Sequence, residues 1–159
     1  MFVSCDLQNQ KNIDLDKRQI LVTKYDLMKF PTFKEPVFMS IDEFFDGNND
    51  EASIAPNIAK KPKVSNYYTI LKALSQNENV DTAFVKINEV MIYEDGKLND
   101  LEWFFTDKIY IVGNITKEEV KKVTKYLMPD DVYYDNNNNQ LNRLSRNNSG
   151  RNIICIWWD

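Results

Sequence analysis

The stretch between Lys108 and Tyr134 limits what this chain can fold into more than any other. Ile109-Tyr110-Ile111-Val112 is apolar at every position, so a strand built from it offers apolar side chains to both faces. A strand covered on two sides needs that pattern, whereas a half-solvated strand alternates apolar with polar residues. After a turn at Gly113-Asn114, Thr116-Lys117-Glu118-Glu119 places a hydroxyl at a helix N-cap and an acid three residues on. That is the reciprocal pattern that satisfies orphan backbone donors at a helix start. Val120, Val123 and Leu127 then fall on one helical face, and Pro129 bars continuation. Val132-Tyr133-Tyr134 follows as a second strand. The unit specifies a layered α/β or α+β scaffold, and with the rest of the chain the expectation is a single α+β domain over residues 1–159, with a central, mostly antiparallel β-sheet and two to three helices packed on it.

The rest of the chain supplies further elements. Residues 1–17 are polar after Met1-Phe2-Val3 and read as a short edge strand and a loop, and residues 20–25 as a β-rich strand. Residues 27–36, with two prolines and two phenylalanines, should wrap the core, and residues 37–39 should pair briefly. Ser40-Ile41-Asp42-Glu43 is a second capping box, and Gly47 ends its helix. Residues 46–58 are turn-rich, and Lys60-Lys61-Pro62-Lys63 is a basic spacer. Ser65 is placed to cap a helix carrying Tyr67, Ile70, Leu71 and Leu74 on one face. Ala83, Val85 and Ile87 alternate before the apolar phase slips to Val90 and Ile92, which predicts a bulge at Asn88-Glu89. Glu94-Asp95-Gly96-Lys97 reads as a hairpin turn, and residues 101–105 return toward the sheet. Residues 135–151 form an Asn-rich loop with one helical turn at 141–144, and residues 153–158 close the chain as a strand.

Size and charge exclude several classes. A chain of 159 residues can bury roughly 70% of its unfolded surface, so it needs no metal or disulfide staple. Its two cysteines, Cys5 and Cys155, could pair if the termini meet, but two thiols in a chain this long fit structural thiols in a reducing cytosol better. No apolar run approaches the ~20 residues that cross a bilayer, and the first residues carry scattered charge with no signal-peptide core. The expectation is a cytoplasmic protein without a membrane partner. A net charge of −4 argues against a general nucleic-acid binder, because phosphate contacts need a basic footprint.

Candidate chemistry is sparse. The chain has no histidine, which removes the commonest general base and most zinc sites. With two distant cysteines and four glycines there is no Cys-x-x-Cys site and no phosphate-cradling glycine loop. Asp46, Asn48 and Asp50 match the first three ligand positions of a calcium loop, but Glu51 replaces its glycine and Asn57 its bidentate acid. The expectation is therefore no cofactor and no metal. Two acid-x-Lys triplets, Asp95-Gly96-Lys97 and Glu119-Val120-Lys121, leave a metal-dependent phosphodiesterase as the enzymatic alternative.

Charge is segregated along the chain. Residues 35–51 hold six acids and no base, and residues 89–107 hold six more against Lys97 alone. Positive charge gathers at residues 60–63, on the helix at 117–125, and at Arg143, Arg146 and Arg151. If the two acidic segments converge, they form an anionic face able to steer a cationic partner.

The stretches SIDEFFDGNNDEASIAPN (40–57) and KIYIVGNITKEEV (108–120) and the terminal Ile156-Trp157-Trp158-Asp159 resemble the immunity proteins of contact-dependent growth inhibition systems. The resemblance implies a non-enzymatic cytosolic protein that occludes a cognate toxin domain, often a nuclease with a basic active site. It carries no residue-level site. Combined with the charge pattern, it makes Asp42, Asp46, Asp50, Glu51, Glu94, Asp95, Asp100 and Glu102 the expected partner-binding residues. A protein-interaction adaptor without a toxin is the remaining alternative.

Overall fold

The structure is a computed structural model that describes residues 13–99, 101–145 and 150–159. Its sheet has five strands: β1 (Val37–Ser40), β2 (Val80–Ile87), β3 (Lys108–Gly113), β4 (Asp131–Tyr134) and β5 (Asn152–Trp157). They lie in the order β1-β2-β3-β5-β4, and every neighbouring pair is antiparallel. The all-apolar β3 is the central strand, as its two apolar faces require. Gly113, at its end, passes so close to Asn79 that a Cβ would sit 2.1 Å from the Asn79 carbonyl oxygen. No larger residue fits there without moving the backbone.

Five α-helices form among the described residues, more than the two to three expected: α1 (Leu15–Tyr25), α2 (Ile41–Phe45), α3 (Val64–Ser75), α4 (Lys117–Thr124) and α5 (Asn139–Leu144). The fold is a single α+β domain. One sheet face, carrying Ala83, Val85, Ile109, Ile111, Ile154 and Ile156, shares its core with the apolar sides of α1 to α4. The other face carries Phe38, Tyr110, Val112, Ile153 and Cys155 and meets Leu141 of α5. Cys155 is buried there within reach of the Tyr110 and Tyr133 hydroxyls, and burial pushes its thiol up. Cys5 lies outside the described residues.

Both predicted capping boxes form: Ser40 with Glu43, and Thr116 with Glu119. The bulge forms too, since the Asn88 and Glu89 amides both donate to the Phe105 carbonyl, two residues facing one.

Three expectations are corrected. Residues 20–25 belong to helix α1, not to a strand. Asp14 caps that helix by accepting from the Lys17 amide, and Arg18, Leu21 and Val22 form its buried stripe. The β-branched residues Ile20, Val22 and Thr23 favour extended backbone locally, but the cap and the tertiary stripe prevail. Ser65 does not cap α3. The helix starts two residues earlier, with Lys63 at the N-cap position, and the Glu51 carboxylate, from the preceding loop, accepts from the Val64 amide at 2.8 Å. Val123 is 44% exposed. The buried face of α4 runs through Val120 and Thr124 to Leu127, because the chain tightens into a 3₁₀ turn at Lys125–Leu127.

Candidate functional site

Two open grooves stand out on the molecule. The first, of about 740 Å³, lies between α1 and α2, with Tyr68 of α3 at one edge. Ile20, Leu21, Phe45 and Tyr68 supply its apolar surface, and Ile20 is 65% exposed. Its rim is charged but internally matched. Lys17 pairs with Asp46, Lys24 with Glu43, and Lys72 with Asp42. Helix α1 is held over α2 by the Asp14 amide, which donates to the Gly47 carbonyl at 2.9 Å. Gly47 has a φ of +84°, and a Cβ there would meet the Cβ of Asp14 at 2.6 Å. The close approach of the two helices therefore rests on that glycine.

These pairs set the local titration. Burial raises the Glu43 carboxyl, but donors from Lys24, Ser40 and Tyr25 outweigh it and hold the group down at about 2. Hydrogen bonding from Lys72 likewise lowers Asp42, with Tyr68 adding to it against partial burial. Lys17 and Lys24 are raised in turn by hydrogen bonds to Asp46 and Glu43.

The two acidic segments do meet, though not as an anionic face. The Thr106 amide donates to the Ser53 carbonyl, and the Ala55 amide to the Thr106 carbonyl. At this junction Asp50 is fully buried, accepting from the amides of Ala52 and Trp103. A carboxylate serving buried backbone donors cannot also present itself to a partner, so Asp50 leaves the contact surface. Glu51 caps α3, and Glu102 accepts from the Asn99 side chain. Asp42 and Asp46 line the first groove, each paired with a lysine. Glu94 and Asp95 sit on the exposed hairpin, where Lys97 pairs with Asp95 at 2.9 Å. Asp100 lies outside the described residues. Helix α1 supplies much of the neutralisation, through Lys17 and Lys24 on the acids of α2, and its Arg18 donates to the Asn99 carbonyl of the second segment.

The acids of the two acid-x-Lys triplets are also engaged locally. Hydrogen bonding from Lys97 lowers Asp95, and hydrogen bonding from Thr116 lowers Glu119. Among the described residues, no three His, Cys, Asp or Glu side chains gather into a group that could hold a metal ion.

The second groove, of about 760 Å³, is basic. Lys60, Lys61 and Pro62 form one wall, and Lys122, Val123, Lys125, Tyr126 and Met128 the other. The Lys61 ammonium donates to the carbonyls of Ile54 and Ala55, and burial lowers its pKa. The opposite wall is fixed at Leu127, whose carbonyl accepts from the Trp158 indole at 2.8 Å and from the Tyr67 hydroxyl at 3.4 Å. Both lysine runs are visible in the sequence, but their meeting is not, since it depends on α3 packing beside α4.

An antiparallel sheet under a helical layer, grooved on its helical side, describes a class of small α+β domain. Residues 16–155 match the model of the uncharacterized protein YfbO family, and the chain belongs to that family. No curated protein and no solved structure matches it. Among the described residues no helix is long and apolar enough to cross a membrane.

Proposed function

We propose that this chain is a non-catalytic, cytoplasmic protein-binding domain acting as an immunity protein, and that it occludes a toxin domain through the groove between α1 and α2. The observation that supports this reading is the exposed apolar surface of Ile20 and Tyr68 inside a rim of ion pairs. An apolar centre within a polar rim is the anatomy of a protein interface. The internal pairing reshapes the mechanism. Asp42 and Asp46 do not stand as a ready polyanion, because Lys72 and Lys17 already face them. Exposed ion pairs contribute little to stability, so exchanging these lysines for a partner's arginines costs little. The pairs keep both carboxylates oriented until that exchange, while Ile20 supplies the apolar anchor.

The test is to sequence the gene immediately upstream and co-express the C-terminal domain of its product with this chain, scored by growth rescue and by calorimetry of the purified pair. Wild type should rescue growth, and Ile20→Asp combined with Asp42→Lys and Asp46→Lys should not, with the thermal midpoint of the free protein little changed. Absence of rescue by the wild type, or rescue undiminished by the triple variant, refutes the proposal.

A further inference from the structure

The basic groove belongs to no part of the proposed toxin contact, and three of its four lysines have no ion-pair partner among the described residues. Among the described residues Lys60, Lys122 and Lys125 make no ion pair, whereas Lys17, Lys24, Lys72 and Lys97 all do. Among the described residues no acidic side chain lines it. Between its lysines stand three large apolar side chains: Val123 at 44% exposure, Tyr126 at 62% and Met128 at 45%. Met128 also holds a left-handed conformation, φ 51°, where glycine or asparagine is the usual residue after a helix end. A bulky apolar residue kept exposed in that conformation is costly on both counts. The walls are held by Lys61 on its two carbonyls and by Leu127 under Trp158 and Tyr67.

We infer that this groove is a docking site for an acidic protein segment that carries an apolar or aromatic side chain among its carboxylates. Charge complementarity fixes the sign of the occupant, and the apolar side chains between the lysines fix its mixed character. A nucleic-acid backbone fits less well. The basic surface is short, and Asp130 and Asp131 line the adjoining small cavity that shares Lys125 and Met128. A longer phosphate chain would run onto those acids. A flat anionic bilayer would touch the rims of a concave surface and leave its apolar centre uncovered.

The experiment uses the full chain and four fluorescent probes: a short peptide of Glu residues interspersed with Leu and Phe, poly-glutamate, single-stranded oligo-dT, and phosphatidylserine vesicles. The Glu/Leu/Phe peptide should bind best, and more weakly as salt rises from about 50 to about 500 mM, since screening shortens the reach of the lysines. Lys122→Glu with Lys125→Glu should weaken it at least about tenfold, as expected for reversing charges that face a charged partner. Tyr126→Ala should weaken it about threefold or more without altering the salt dependence, because it removes apolar contact alone. Lys60→Glu, on the opposite wall, repeats the charge test should the double variant lose its fold by circular dichroism. Binding that survives the reversals, poly-glutamate binding as tightly as the mixed peptide, or tighter binding of oligo-dT or vesicles would each overturn the inference. The outcome does not depend on any toxin, so it can fail while the immunity reading stands.

Discussion

The two grooves are cut into the same helical layer and treat charge in opposite ways. Around the first, each of Asp42, Glu43 and Asp46 has a lysine of the same molecule against it. In the second, three lysines have none among the described residues. A chain of net charge −4 thus keeps unmatched positive charge at one of these two grooves. Net charge is a sum over the surface, while recognition depends on which charges lack an internal partner.

Breaking that comparison starts with the acid that should matter most to the fold. Asp50→Ala strips the Ala52 and Trp103 amides of their acceptor in a site closed to water. It should lower the free energy of unfolding by about 3 kcal/mol, read from urea titration. A wild-type urea midpoint together with impaired partner binding would return Asp50 to the contact surface. The next effect is linked to pH. Glu43 sits near 2 in the folded protein against an ordinary 4.5. A depressed carboxyl stabilises fully above its unfolded value, so this contribution is complete above about pH 5 and is lost as pH falls toward 2. Because solvent still reaches part of the side chain, Glu43→Gln should cost about 2 kcal/mol at neutral pH and flatten the acid limb of the stability curve. An acid limb identical to wild type would mean that α1 does not hold α2 through this carboxylate. The smallest effect sharpens the contrast between the grooves. Lys17→Met with Lys72→Met should barely move the thermal midpoint, but it uncovers Asp46 and Asp42 and should speed association of an oligolysine probe at low salt. The control, Lys122→Met with Lys125→Met, should leave that probe unaffected. Equal responses would show that the grooves are not electrically distinct.

Local rules made much of the fold legible in the sequence. The two capping boxes, the doubly apolar β3 and the phase slip at Asn88-Glu89 are decided within a few residues, and all three appear in the structure. Helix α1 was not legible, because its buried stripe opens on Arg18, a charged residue that periodicity counts as outward. Arg18 can be buried there because its guanidinium reaches the Asn99 carbonyl and lies 6.0 Å from the centre of the Phe104 ring. The acidic segments were visible as charge, but the use of each acid was not. Asp50 and Glu51 serve amides 53 and 13 residues away, a fact that exists only once the chain has folded. The lysine groove was hidden for the same reason, its walls being about 60 residues apart in the chain.

The bond from Glu51 to Val64, together with Lys61 on Ile54 and Ala55, closes the segment before α3 into a ring tied at two points. A stretch with almost no regular secondary structure is thereby held in one shape before anything touches it. A ligand settling against Lys60 and Pro62 would find a wall already set, and little of its binding energy would go into ordering the loop. Cutting the tether with Glu51→Ala, which removes the oxygen that accepts from the Val64 amide, should therefore show up first as slower, weaker capture by the lysines, although Glu51 itself does not line that groove.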